Sequence, residues 1–141
     1  LHLLSRRQRQ MCIRDRSYQD LEGLRVSSHF FIDRSGRLFQ YVSCLDRAWH
    51  AGVSSYEGRE NCNDFSIGVE LEGTDSAPYE QAQYETLGRL TDALAEAYPI
   101  KYVTGHSMIA PLRKTDPGPA FDWLTYESLC TTGKPLCFPY V

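Results

Sequence analysis

Apolar and polar side chains alternate in the segment Asp64–Asp75, whose sequence is DFSIGVELEGTD. Apolar residues occupy every second position over Ile67–Leu71, and this period of two predicts a β-strand with one buried face. Glu70 and Glu72 then lie on the opposite face, where a carboxylate is either a solvated surface group or a base that accepts a proton. A strand of this kind requires a second layer of structure to cover its apolar face.

The segment after this strand is predicted to supply that layer as a helix. Ser76 can cap the helix with Pro78 in its first turn, and Pro99 ends it. Apolar side chains follow one another at three- and four-residue steps, namely Tyr84, Leu87, Leu90, Leu94 and Tyr98. One face of the helix therefore packs on the sheet, and its aromatic and leucine stripe is core material and not a cofactor site.

The remaining pattern consists of short elements joined by turns. We predict strands over Val26–Ile32, Arg37–Val42 and Lys101–Thr104 and a final short helix over Phe121–Leu129. The sequence DRSG of Asp33–Gly36 offers turn formers between the first two strands, which makes them a hairpin. The stretch Ser43–Asn63 and the tail from Thr131 are predicted to be irregular.

A histidine, a lysine and an aspartate lie on one segment, TGHSMIAPLRKTDPGP, as His106, Lys114 and Asp116. A neutral imidazole and a carboxylate are ligands that suit Zn²⁺, and a nearby cation can face an oxyanion. Gly105 permits close backbone approach before the histidine, and three prolines restrict the backbone of a long connection. A histidine and an aspartate at this spacing also occur together by chance, so the pair alone does not define a metal site.

Length and charge indicate one domain with a basic N-terminal arm. The chain has 141 residues and a net charge of −3, but residues 1–17 carry five arginines against Asp15, a net charge of +4 that leaves −7 for the rest. This arm has no interleaved aromatic residues and no recognised binding motif, so we predict no nucleic-acid partner. No apolar run approaches the ~20 residues of a membrane-spanning helix, and no membrane partner is predicted. The start also lacks the apolar core of a secretory signal.

The five cysteines form no C-x-x-C pair and are odd in number. This pattern argues against a zinc knuckle and against a full disulfide framework, so we predict reduced thiols. A bridge between Cys130 and Cys137 is the alternative for an exported protein.

Three motifs together resemble a known family. These are WHAG at Trp49–Gly52, CNDFSIGVELEGTD at Cys62–Asp75 and TGHSMIAPLRKTDPGPAFDW at Thr104–Trp123. They resemble the zinc-dependent N-acetylmuramoyl-L-alanine amidases, closest to the cytoplasmic branch that acts on 1,6-anhydro-muropeptides in cell-wall recycling, and the resemblance runs from about Leu24 to Trp123. It implies a single-domain α/β (α+β) fold with a central mixed β-sheet flanked by helices, like that of peptidoglycan-recognition proteins. It also implies a monomer that hydrolyses the amide bond between N-acetylmuramic acid and L-alanine of a small muropeptide.

The resemblance implies a role for each residue that matches a motif. His106 and Asp116 become ligands of the Zn²⁺ cofactor, Glu70 the general base and Lys114 the group that stabilises the tetrahedral oxyanion. The ring of Trp49 can wall the substrate cleft, or it caps the core, while His50 can donate to a substrate carbonyl. Two further roles concern Arg25, which can pair with a peptide carboxylate, and His29, which supports a ligand or contacts substrate.

One part of the family pattern is not recognisable. The family takes its first zinc ligand from a histidine on an N-terminal strand, and residues 1–17 show no similarity to it. We therefore expect residues 1–17 to be disordered or foreign, residues 18–130 to be an N-terminally truncated amidase domain, and residues 131–141 to be an irregular tail. His2 as a replacement ligand is an alternative. A non-catalytic muropeptide-binding module and an exported amidase are the other functions left open.

Overall fold

The computed structural model describes the backbone of residues 2–5 and the whole of residues 27–74 and 76–139. Five strands form one mixed sheet in the order β3-β2-β6-β1-β7. These strands are β1 (His2–Ser5), β2 (Phe30–Ile32), β3 (Leu38–Gln40), β6 (Ser66–Leu71) and β7 (Ile100–Thr104). The strands β2 and β6 run parallel, and the other neighbouring pairs are antiparallel. The predicted single domain with a central mixed sheet is confirmed.

The hairpin and the first strand are shorter than predicted. The turn at Asp33–Gly36 is confirmed, with the amide of Gly36 donating to the carbonyl of Asp33 over 2.9 Å. Gly36 has φ +83°, and an added Cβ would lie 2.7 Å from the carbonyl oxygen of Ala82, so the turn needs glycine on both counts. Regular strand pairing covers only three residues on each side of this turn.

A strand occupies part of the N-terminal segment that we expected to be disordered or foreign. His2–Ser5 lies between β6 and β7, with His2 opposite both Gly68 and Thr104. The expectation of disorder is therefore wrong for these four residues. The physical reason is that β6 and β7 present main-chain donors and acceptors to the gap between them, and buried backbone groups need partners. Residues 6–26, which include Arg25, lie outside the described part of the chain.

The main helix, α1 (Gln81–Ala97), begins later than predicted. Its cap is Glu80 and not Ser76: the Glu80 side chain accepts from the backbone amide of Gln83, the third helical residue, and Oε1 of Gln83 accepts from the Glu80 amide over 3.0 Å. The end is as predicted: Tyr98 is extended immediately before Pro99. The apolar stripe of α1 packs on Ile32, Ile67, Val69 and Val103 of the sheet, and Tyr126 is also fully buried in this core.

Three short elements lie where we predicted irregular chain. A small hairpin pairs β4 (Ser55–Tyr56) with β5 (Arg59–Glu60), and a turn of 3₁₀ helix follows at Cys62–Asp64. A one-turn helix, α2 (His106–Ile109), begins at the predicted metal ligand. Such short elements carry too few residues for a hydrophobic period to be read from sequence.

The last helix, α3 (Trp123–Leu129), starts two residues later than predicted because Asp122 caps it, accepting from the Thr125 amide over 3.0 Å. It packs closely on α1 at Gly88, where an added Cβ would lie 2.7 Å from the carbonyl oxygen of Leu129. In the part of the chain that the structure describes, no helix has the length and apolarity needed to cross a membrane. The described cysteines are free thiols, so the alternative Cys130–Cys137 bridge is not formed.

Candidate active site

The sheet topology brings two of the predicted site residues to one edge. β6 and β7 are both antiparallel to the strand between them, so they run parallel to each other. Their carboxyl ends therefore meet at the same edge of the sheet. Glu70 is the second-last residue of β6, and β7 ends at Thr104, two residues before His106. Carboxyl ends of parallel strands are the usual place for a site in mixed α/β sheets.

The polar face of β6 is covered along most of its length. Ser66 and Gly68 are buried, whereas Glu70 is exposed. The ring of His50 lies against Gly68 so closely that an added Cβ would overlap the imidazole. The prediction of one buried face was therefore wrong for the first half of the strand, because buried imidazoles form a layer over it. The face opens to solvent only at Glu70.

His106 and Asp116 are adjacent, as the loop motif predicted for a ligand pair. Nδ1 of His106 lies 3.2 Å from Oδ2 of Asp116. Nε2 of the same imidazole lies 3.0 Å from the carbonyl oxygen of Ala51, and because a carbonyl only accepts, Nε2 carries the proton and donates. Gly105 makes the close approach expected of it: an added Cβ would lie 2.7 Å from Cδ of Pro117. The ring of His106 is thus oriented with Nδ1 beside the carboxylate of Asp116.

This pair fits a zinc ion. Bonds of about 2.0–2.2 Å to nitrogen and oxygen at a tetrahedral angle separate two ligand atoms by about 3.4 Å, close to the observed separation. A histidine ligand whose other ring nitrogen donates to a backbone carbonyl is the arrangement that protein metal sites use to fix the tautomer. Burial acts to raise the pKa of Asp116, but the hydrogen bond and charge of His106 outweigh it and the pKa lies below its usual value. No group of three such ligands occurs among the residues with described side chains.

The segment that carries the Ala51 carbonyl is fixed by residues to which the sequence analysis gave no role. The buried Asn63 accepts through Oδ1 from the amides of His50, over 3.0 Å, and Ala51, over 2.8 Å. Arg113 donates through Nη2 to the carbonyl of Ala51 over 2.7 Å. Both residues lie inside the motifs quoted above, but a hydrogen bond to a backbone group leaves no signature in residue spacing.

The two carboxylates of the β6 face differ in their surroundings. Ser28 donates to Oε2 of Glu70 at the long distance of 3.5 Å. Oε2 of Glu72 instead accepts from the backbone amide of Arg34 over 2.8 Å, which ties Glu72 to the neighbouring turn. Glu70 is therefore the more available of the two. Lys114 lies after α2, in the chain between His106 and Asp116, and is half-buried, with its backbone amide donating to the carbonyl of Ala110.

The residues predicted to contact substrate occupy different environments. Trp49 is 51% exposed and lies under the guanidinium of Arg47, 4.1 Å from its carbon, so its ring does not cap the core. His50 is only 8% exposed, and His29 is fully buried with the two rings 5.4 Å apart. The roles of Trp49, His50 and His29 toward substrate stay predictions, as does that of Arg25.

The hydrogen bonds of His29 and His50 place a proton on Nε2 of each ring. The Gly68 amide donates to Nδ1 of His29 over 3.1 Å, so His29 holds its proton on Nε2 and donates it to the Asp46 carbonyl. Ser66 donates to the Cys62 carbonyl over 2.6 Å, so its oxygen accepts from Nε2 of His50 over 2.8 Å. Burial lowers the pKa of His29, against the effect of Asp46. Burial lowers the pKa of His50 well below its usual value, and the positive charges that His29, His106 and Arg47 carry when protonated act in the same direction.

These two imidazoles are expected to make the fold acid-sensitive below about pH 6.5. The unfolded chain binds protons there that the folded chain refuses, so the free energy of unfolding falls as the pH drops toward the folded-state pKa values, by at most about 1.4 kcal/mol per pH unit for each ring. Urea unfolding between neutral pH and pH ~5 measures the slope. His50→Gln keeps an N–H for Ser66 and should make the free energy of unfolding depend less steeply on pH. An equal slope in that variant would contradict the assignment to His50.

A cavity of about 370 Å³ lies beside the chain that joins His106 to Asp116. It is formed between the β4–β5 hairpin and the chain that follows α2, and Glu60, Asn61, Leu112 and Arg113 contribute to its walls. Ligand pockets in proteins have volumes of about 300–1,000 Å³. The described residues thus supply a metal-ligand pair, an exposed carboxylate at a strand end and a separate cavity, whose walls include Leu112 and Arg113 from the chain between the two ligands.

The sheet, the ligand pair and the motif spacing together define a class of protein. Residues 3–119 match the N-acetylmuramoyl-L-alanine amidase family, so the chain belongs to that family. The match begins at residue 3, within the segment 1–17 that we expected to be disordered or foreign.

Within this family, the chain is similar in sequence to several individual amidases. The chain is 57% identical to the 1,6-anhydro-N-acetylmuramyl-L-alanine amidase AmpD of Escherichia coli over 114 residues. This aligned region covers 79% of this chain and 62% of that protein. It is 59% identical over 110 residues to AmpD of Citrobacter freundii, covering 77% and 59% respectively. The chain thus spans about three-fifths of the length of these relatives.

Solved structures show the same fold. A crystal structure of a selenomethionine derivative of AmpD superimposes with a TM-score of 0.74 at 55% identity, covering 81% of this chain and 65% of that one. The amidase AmiD from E. coli, in complex with the substrate anhydro-N-acetylmuramic acid-L-Ala-D-γ-Glu-L-Lys, gives a TM-score of 0.71 at 37% identity, covering 80% and 51%.

Proposed function

We propose that this protein hydrolyses the amide bond between 1,6-anhydro-N-acetylmuramic acid and the L-alanine of a stem peptide, using a zinc ion, in peptidoglycan turnover and recycling. The observation that carries this proposal is the pair formed by His106 and Asp116, whose ligand atoms lie 3.2 Å apart, close to the separation of about 3.4 Å expected for two ligands of a tetrahedral zinc. The similarity to AmpD supports the anhydro substrate. We further propose a monomeric enzyme that acts in the cytoplasm on small muropeptides.

In the proposed mechanism, His106 and Asp116 hold the metal at the edge of the sheet. When bound there, zinc would polarise the scissile carbonyl and lower the pKa of a coordinated water to roughly 7. Glu70 accepts a proton from the attacking water and passes it to the amine of L-alanine as that group leaves. Lys114 faces the oxyanion that develops on the former carbonyl oxygen. The adjacent cavity receives the peptide part of the substrate.

Lys114→Ala is expected to lower kcat on the order of 10²-fold, about 3 kcal/mol of transition-state stabilisation, because one oxyanion donor is lost. The measurement is the steady-state release of peptide from an anhydro-muropeptide. Lys134→Ala is the matched control, since Lys134 lies on the C-terminal tail beside Glu96 and outside the site. Unchanged turnover in Lys114→Ala would remove this residue from the mechanism.

A second candidate function is suggested by the small number of zinc ligands. The described side chains supply two zinc ligands, and two ligands hold a metal weakly. A module that binds muropeptides without cleaving them would keep the cleft and lose the metal. Binding of the anhydro-muropeptide without peptide release identifies this alternative. Cleavage of cross-linked peptidoglycan, together with export of the full-length protein, would identify an exported amidase instead.

The deciding experiment measures zinc per chain and peptide release on the same sample. One zinc per chain with turnover supports the proposed amidase, and His2→Ala then asks whether His2 supplies a further ligand, since its backbone lies in the cross-strand row of Gly68 and Thr104. The absence of both zinc and product would contradict amidase activity of this chain. The same test applies to a longer chain in which residues 1–17 are replaced by the corresponding part of a relative.

A further inference from the structure

Two donors converge on one backbone oxygen behind the proposed metal site. The carbonyl of Ala51 accepts from Nε2 of His106 over 3.0 Å and from Nη2 of Arg113 over 2.7 Å. The same guanidinium nitrogen donates to the carbonyl of Val53 over 3.0 Å. A terminal guanidinium nitrogen carries two protons, so each of its N–H groups has one carbonyl.

The guanidinium also lies against the glycine between those two carbonyls. Gly52 has φ +61°, and an added Cβ would come within 2.8 Å of Nη2 and 3.2 Å of Cζ of Arg113. Without a side chain, Gly52 lets the planar group approach, but it also leaves the backbone free to adopt other conformations. Arg113 thus bridges Ala51 and Val53 and holds the backbone between them in one left-handed conformation.

The orientation of the Ala51 carbonyl determines how the ring of His106 faces Asp116. Among the described residues the imidazole meets the Ala51 oxygen at Nε2, 3.0 Å away, and the Asp116 carboxylate at Nδ1, 3.2 Å away. A carbonyl held in line with Nε2 fixes the orientation of the ring and therefore the position of Nδ1 beside the carboxylate.

We propose that Arg113 is a positioning residue of the zinc site: it holds the Ala51 carbonyl on which the imidazole of His106 is oriented, with Nδ1 next to Asp116. Asn63 supports the same segment from the other side, through the Ala51 amide. The inference rests on the proposed function only where it concerns zinc. Its part about the histidine ring stands on the described contacts.

The first test is zinc affinity, measured by competition with a chelator. Hydrogen-bond partners of metal-bound histidines typically change metal affinity 10–100-fold when removed, and we expect Arg113→Ala to weaken binding within that range. Arg113→Lys keeps the charge and the donors but not the planar group that lies on Gly52, so an intermediate loss is expected. Arg89→Ala, on the exposed side of α1, is the control and should bind as the unaltered chain does.

The second test needs no metal. Long-range ¹H–¹⁵N spectra of the metal-free chain report which nitrogen of each histidine carries the proton. In the unaltered protein His29, His50 and His106 should all be protonated at Nε2. Arg113→Ala should change the His106 signals, with faster exchange of its Nε2 proton, and should leave His29 and His50 unchanged. A general loss of structure would move all three rings, which separates a positioning role from a purely structural one.

Each outcome decides the inference. Selective change at His106 with weaker zinc binding supports it. Unchanged His106 signals in Arg113→Ala, or zinc affinity equal to that of the unaltered chain, would overturn it. If Arg113→Ala disturbs all three rings, Arg113→Lys decides, and a Lys variant that is folded and indistinguishable from the unaltered chain overturns the inference. Lack of zinc binding by the unaltered chain contradicts the proposed function, while the ring signals still test the role of Arg113.

Discussion

Glu70→Gln is expected to lower kcat/KM for the anhydro-muropeptide by about 10²–10⁴-fold, the usual contribution of a positioned general base. The amide has almost the shape of the carboxylate but cannot accept the proton of the attacking water. Because Glu70 is exposed at the end of β6 and its contact to Ser28 is long, at 3.5 Å, the substitution breaks no buried hydrogen bond. Zinc content, muropeptide affinity and thermal stability should therefore stay close to those of the unaltered chain.

Glu72→Gln is the matched control for this experiment. Glu72 is the next carboxylate along the chain in the same alternating pattern, but its side chain accepts from the Arg34 amide at the turn. The control variant should retain turnover and lose at most about 1 kcal/mol of stability, the net value of a typical hydrogen bond. If Glu72→Gln inactivates the enzyme and Glu70→Gln does not, the two carboxylates have been assigned in the wrong order.

The regular part of the fold could be predicted from sequence because its signals are local. Alternation over Ile67–Leu71 and the stepped apolar stripe of α1 both reflect burial on one side, and both elements are present. The start of α1 was misplaced because serine is a preferred helix cap and glutamate is not, and only the reciprocal hydrogen bonds between Glu80 and Gln83 reveal where the helix begins. The strand at His2–Ser5 was missed because four residues show no period, and its pairing depends on partners more than sixty positions away.

The candidate site, too, could be predicted from sequence only in part. The ligand pair, Glu70 and Lys114 could be named because they lie in long motifs with recognisable spacing. The support of the site could not, because the Ala51 carbonyl is a backbone group and any residue offers one. Arg113 and Asn63 act on that backbone, and their roles emerge only from the distances at which their side chains meet it. The buried layer of His29 and His50 over β6 was not predicted either, because alternation alone predicts that the polar face of a strand meets water.

Asp116→Asn is expected to remove zinc from the protein, with an affinity loss greater than about 100-fold. Changes to residues that merely support a ligand already cost 10–100-fold, and here a ligand atom is itself replaced by a neutral, weaker donor. The loss of charge also removes the partner of His106 Nδ1, 3.2 Å away. His106→Ala should have the same result. Turnover should fall to background in both variants.

Asp122→Asn applies the same substitution six residues further along the chain, where the aspartate caps α3. Asparagine is nearly as good a helix cap as aspartate, so this control should keep both its zinc and its stability. Thermal unfolding provides a reading independent of activity, because a metal that binds only the folded state stabilises it by RT ln(1 + [L]/Kd). Added zinc should therefore raise the Tm of the unaltered chain and of Asp122→Asn but not that of Asp116→Asn. An equal rise in all three would place the metal elsewhere than between His106 and Asp116.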